Sequence, residues 1–183
     1  MRDASLGACA LTGFVYQEVS PRLELPAGTY DQAAERYPWV FMSLAPSYLG
    51  VTQGICDFTR SYLRGEVPGG PAPRRDVMMK QVGWAEMLRM LEQSRALMFA
   101  AVDQARLDPT TDDLVRGWAA CNTVMENAAA VGSLAVRVCG GRSIMRDMIL
   151  ERLYRDCRLG STMLPWSAEV TMERLGRAYL YDE

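Results

Sequence analysis

Residues 65–73, Gly-Glu-Val-Pro-Gly-Gly-Pro-Ala-Pro, hold three glycines and three prolines in nine positions, a composition that no helix or strand tolerates. The stretches on either side place apolar residues at helical spacing, so the chain is committed to long helices joined by a loop. Upstream, residues 37–63 carry Val40, Phe41, Leu44, Tyr48, Leu49, Val51, Ile55, Phe58 and Tyr62. They are apolar on more than one face, which predicts a central helix. Pro38 suits a first turn, and Pro46 either kinks that helix or marks its true start. Downstream, a second long helix is expected over residues 74–105, followed by Asp108-Pro109. Thr110 or Thr111 caps a third, with Asp112 and Asp113 in its favourable first turn. Gly140-Gly141 stops that helix after Cys139. Shorter helices are expected over 148–158, ending at Gly160, and from Pro165 to about residue 179. Before residue 27 the pattern is that of one or two strands. The fold class is mainly α: an up-down helical bundle of three long and two short helices behind a short N-terminal β segment.

The bulk composition excludes several kinds of chemistry. With 183 residues, 49% of them apolar, the chain can bury one core without staples. A net charge of −2 gives no general attraction to nucleic acid or to anionic membranes. There is no histidine, and the five cysteines (Cys9, Cys56, Cys121, Cys139 and Cys157) contain no CxxC pair. A zinc site, a disulfide framework and the serine–histidine or cysteine–histidine hydrolases are therefore not expected. No signal or spanning segment is visible, which leads to the expectation of a cytoplasmic protein. Lys80 is the one lysine among 20 basic residues. An arginine excess follows from GC-rich coding or from a need for planar, bidentate contacts. Met98, Met125, Met145, Met148 and Met163 read as core filler, and Cys139 and Cys157 as buried thiols.

The stretch Val138-Cys-Gly-Gly-Arg-Ser-Ile-Met-Arg-Asp-Met-Ile-Leu-Glu-Arg-Leu-Tyr-Arg-Asp-Cys-Arg-Leu-Gly160 resembles the C-terminal signature of the acyl-CoA dehydrogenase family, roughly GGxGYxxxxPxERxYRDxR followed by IxEGTxE. Three further segments match in order. Tyr16-Gln-Glu-Val-Ser-Pro21 looks like the family's last β-domain strand. Tyr48-Leu-Gly-Val-Thr-Gln-Gly-Ile-Cys-Asp57 looks like its first bundle helix, and Lys80-Gln-Val-Gly-Trp-Ala-Glu-Met87 like the second. The resemblance implies a remnant of the middle β-domain over 1–27 and the C-terminal bundle domain over 28–183. It also implies FAD as cofactor, its pyrophosphate held by backbone N–H groups at Gly140 and Gly141, commonly across a subunit boundary. Arg137 stands in the place of the family's glutamine, Ser143 in that of its third glycine, and Ser167 and Glu169 in those of the T-x-E pair. Glycines suit such a loop because bare backbone can approach a phosphate closely. The same residues also read as a plain helix end with Arg137 on a solvated face. The family's ER and RD pairs, Glu151-Arg152 and Arg155-Asp156, are expected to form interhelical ion pairs.

The family's catalytic glutamate falls on Pro165, which has no proton acceptor, so no catalytic residue is assigned. Some branches carry the base on the first bundle helix, where Glu35 is the nearest candidate. Leu164-Pro165-Trp166 either walls a flavin pocket or buries Trp166 against the bundle. The resemblance covers about half of a family member. It therefore implies an oxidoreductase acting on CH–CH bonds of acyl thioesters only within an assembly: a homo- or hetero-oligomer with a homologous or complementary chain, FAD being shared with that partner. A flavin-dependent monooxygenase-like subunit and a non-catalytic structural subunit are the alternatives.

Overall fold

The computed structural model describes residues 42–163 and 167–181, all within the unit Ala34–Glu183. The expected β remnant over 1–27, Glu35 and Leu164-Pro165-Trp166 lie outside the described residues. Among the described residues five α-helices follow in order: α1 (Ala45–Arg64), α2 (Met78–Asp103), α3 (Thr111–Cys139), α4 (Ile149–Asp156) and α5 (Ala168–Arg177). Short 3₁₀ turns, Gly141–Ile144 and Gly160–Thr162, flank α4. Among the described residues there is no strand, so the mainly α bundle is the architecture found. None of these helices is long and apolar enough to cross a membrane.

Pro46 sits in the first turn of α1 and marks its start, the position where a missing N–H costs nothing. Gly65 ends the helix at φ 74°, and the Gly/Pro loop carries the chain to α2. The third helix begins with a reciprocal cap. The Thr110 hydroxyl accepts from the Asp113 N–H at 3.3 Å, and the Asp113 carboxylate accepts from the Thr110 N–H at 2.9 Å. Arg116 adds a 2.7 Å contact to that carboxylate. These bonds, the Thr110 N–H foremost, hold the Asp113 carboxyl down at about 2.

The hub of the bundle is α3, and α1, expected as a central helix, packs against α2, α3 and α4. Among the described elements α3 packs against all four other helices, and it buries Trp118, Ala120, Cys121, Val124, Met125, Ala128, Val131, Ala135 and Val138. Gly132 on α3 admits Cys157 closely, and Gly83 on α2 admits Val138. Ile55, Tyr62, Met87 and Leu91 fill the space between the helices, each buried side chain being worth roughly 1.5–3 kcal/mol. Residues 90–94 of α2 meet Asn127, whose side-chain amide donates to the Met90 carbonyl and the Ser94 hydroxyl, both at 3.1 Å. Lys80 reaches Val138, so α2 runs antiparallel to α3. The later helix α5 runs back along the first half of α3: the Asn122 side chain donates to Thr171 Oγ1 at 2.9 Å, and Tyr179 meets Asp112.

Two side-chain expectations change. The ER and RD residues pair within α4, Arg155 with Glu151 at 2.8 Å and Arg152 with Asp156 at 3.7 Å. Residues four apart on one helix are neighbours, so these ion pairs are not interhelical. Met98, Met125 and Met148 are core, but Met145 is 55% exposed beside the 3₁₀ turn. Cys139 and Cys157 are buried as expected, and burial pushes both thiols up to about 11, too high to serve as nucleophiles near neutral pH.

Candidate functional site at the end of α3

The last turn of α3 carries Arg137, Val138 and Cys139. Gly140 then leaves the helix at φ 93° and ψ 170°, a conformation that L side chains rarely adopt. Its N–H donates to the Val136 carbonyl at 2.8 Å, and Gly141 opens the following 3₁₀ turn. A Cβ placed on Gly140 or Gly141 would meet nothing within 4 Å, so one side of this backbone is open. Ser143 is buried, and its hydroxyl and N–H both donate to the Gly140 carbonyl, at 2.7 and 3.0 Å. The serine that replaces a glycine of the signature thus ties the loop to itself.

Two long-range contacts fix the loop from outside. The Lys80 ammonium donates to the Val138 carbonyl. Arg142 Nε donates to the Gly69 carbonyl at 2.8 Å, and its Nη2 lies 3.6 Å from the Asp147 carboxylate. Arg137 is exposed and makes no ion pair with any described residue. The cations Lys80, Arg137 and Arg142 therefore gather where a helix ends in unpaired carbonyls and a partial negative charge. No cluster of metal ligands occurs among the described residues.

The other two expected site residues are elsewhere. Ser167 caps α5, its hydroxyl accepting from the Val170 N–H at 3.4 Å, and Glu169 is exposed in the same first turn. The Asn122 side chain donates to the Ala168 carbonyl at 3.3 Å, which places this cap at the level of residue 122 on α3. At 1.5 Å rise per residue, Gly140 is roughly 27 Å further along that helix. Arg137, Gly140 and Gly141 come together; Ser167 and Glu169 do not join them within one chain. Sequence reasoning missed Lys80 as part of the loop, although its being the one lysine in an arginine-rich chain was a signal.

A concavity of about 810 Å³ opens between α5 and the start of α3 beside Leu114, Trp118, Arg177 and Tyr181. The Arg174 guanidinium lies 5.8 Å from the centre of the Trp118 ring there.

The model of the acyl-CoA dehydrogenase C-terminal domain matches residues 40–180. The acryloyl-CoA reductase (NADH) of Anaerotignum propionicum is 31% identical over 113 residues, 61% of this chain and 27% of that protein. Butyryl-CoA dehydrogenase from Megasphaera elsdenii superposes with a TM-score of 0.67 at 21% identity, over 77% of this chain and 36% of its own. A structure of the electron transferring flavoprotein of Acidaminococcus fermentans gives 0.67 at 21%, over 78% and 36%. The flavoprotein nitroalkane oxidase gives 0.67 at 14%, over 76% and 33%. The chain thus spans about a third of the length of the solved structures it matches.

Proposed function

The chain belongs to the acyl-CoA dehydrogenase family through its C-terminal domain, and we propose that it supplies the helical bundle and the pyrophosphate loop of a flavin site completed by a homologous or complementary chain. The reaction assigned to that assembly is FAD-dependent oxidation of a CH–CH bond in an acyl thioester. The observation that carries the reading is the division of the site residues between two levels of α3. One FAD contacted by both groups draws Arg137, Gly140 and Gly141 from one chain, and Ser167 and Glu169 from another. In this reading residues 1–27 belong to the β-domain.

The residues at the loop fit a pyrophosphate. The Gly140 N–H is taken by the Val136 carbonyl, so what the loop offers is the open side of Gly140 and Gly141; Arg137 pairs with no carboxylate among the described residues, and Lys80 and Arg142 add positive charge. Bound there, FAD supplies the hydride acceptor. This chain's part is to hold the phosphates, to orient them through Ser143 and the loop anchors, and to present the exposed Glu169 carboxylate to a donor on the cofactor. Pro165 accepts no proton, so the base that removes the substrate's α-proton is assigned to the partner. Exposed apolar side chains on the segments that frame the loop, Met78 and Met79 on one side and Ile144 and Met145 on the other, support a surface covered by another chain.

Pro165 also favours a second reading, a flavin-dependent monooxygenase-like subunit, because that chemistry needs no α-proton base. Tagged chain should co-purify with its partner as a yellow complex that desaturates an acyl thioester in the presence of an artificial electron acceptor. Oxygen insertion with supplied reduced flavin would select the monooxygenase. A colourless, flavin-free complex would leave only the structural subunit.

A further inference from the structure

We infer that Lys80 is the positioning residue of the glycine loop: it binds the Val138 carbonyl in the last turn of α3 and makes that helix end acceptable to phosphate. The inference rests on the flavin reading above and adds a role for a residue outside the signature. A helix C-terminus is a poor place for an anion, because its unpaired carbonyls and the macrodipole present negative charge. Gly140 and Gly141 stand at such an end. The Gly140 N–H takes the Val136 carbonyl, and Ser143 takes the Gly140 carbonyl. The Val138 carbonyl between them is taken by an ammonium from 58 residues away in sequence.

That reach depends on how closely α2 approaches. Gly83 lies one turn beyond Lys80, and a Cβ there would stand only 2.4 Å from Val138 Cγ2. Glycine at 83 brings the first turn of α2 onto Val138, and Lys80, half-buried in the gap, converts packing into a charge-assisted hydrogen bond. The compact ammonium neutralises the carbonyl end and stops Val138 from pulling the loop back into helix. Gly140 and Gly141 then keep their open side toward the ligand. Lys80 itself touches neither substrate nor reacting atoms.

The test compares wild type, Lys80→Met and Lys80→Arg in the full chain with its co-purifying partner. Amide hydrogen exchange is followed over residues 137–144, and FAD and ADP binding by equilibrium dialysis across a salt series. Lys80→Met should speed exchange of the loop amides while leaving those at the start of α3 unchanged. It should weaken dinucleotide binding by about tenfold, the scale of a partly buried charge at a helix end, and flatten the salt dependence. Lys80→Arg, which keeps the charge, should recover the salt slope and most of the affinity. Unchanged loop exchange in Lys80→Met overturns the inference, as does equal binding by Met and Arg variants. If wild type binds neither FAD nor ADP, the flavin reading fails and the phosphate role of Lys80 with it, while the exchange result still decides whether Lys80 anchors the loop.

Discussion

The two ends of α3 are secured in opposite ways. At the start, Thr110 and Asp113 cap each other across three residues, with Arg116 one turn further on. Everything needed lies within seven consecutive positions. At the far end, the helix stops at Gly140, but its carbonyls and the following turn are held by Lys80 from α2 and by Arg142 bonding to Gly69 in the Gly/Pro loop, 73 residues away. The first end forms as soon as the local backbone turns helical. The second exists only when α2 and the loop have docked. The far end thus combines local bonds, the Gly140 N–H to the Val136 carbonyl and Ser143 to the Gly140 carbonyl, with contacts that only docking supplies.

The sharpest way to break this contrast is at Gly83. Gly83→Ala should destabilise the chain by about 1–3 kcal/mol in urea unfolding, because the new methyl meets Val138, whose β-branched side chain has little rotamer freedom in a helix. The loss should exceed the helix-propensity gain of about 1 kcal/mol. Pairing it with Val138→Ala should recover part of it; a strictly additive double variant would refute the close approach. A smaller effect is expected at the other end. Thr110→Ala should cost about 1 kcal/mol and leave hydrogen exchange at residues 137–144 unchanged; faster exchange there would mean that the ends are coupled.

The smallest effect is a pH dependence. The Asp113 carboxyl titrates near 2 in the folded chain, below its ordinary value of 3.8. Its contribution is therefore complete above about pH 4 and is lost as pH falls from there toward 2. Asp113→Asn should lower stability at neutral pH and remove that segment of the stability–pH curve, so that variant and wild type converge as pH falls to about 2. A variant curve parallel to wild type across the acid range would show that Asp113 is not the group responsible.

Much of the bundle was legible because its signals are local. The Gly/Pro break, Pro46, the Thr110 cap and the glycine pair each act through backbone geometry within a few residues, and they placed α1, α2 and α3 closely. That α3 is the hub was not legible. Both helices are apolar on several faces, and only packing decides which is enclosed. The ER and RD residues were misplaced for a related reason: their i, i+4 spacing already allowed pairs within α4, and the family pattern drew attention away from it. Of the candidate site, Arg137, Gly140 and Gly141 are close because they lie within five successive residues. Their distance from Ser167 and Glu169 depends on where α5 docks on α3.

The order of residues by itself determined that this chain is helical, where its long helices begin and end, and that position 165 accepts no proton. Those properties follow from backbone dihedrals, side-chain caps and the chemistry of single residues. Only the tertiary structure decided which helix is enclosed, that Lys80 closes α3, and that the glycine loop stands far from the α5 cap. Such contacts join segments tens of residues apart, and their free energy appears only once apolar surfaces have brought the segments together.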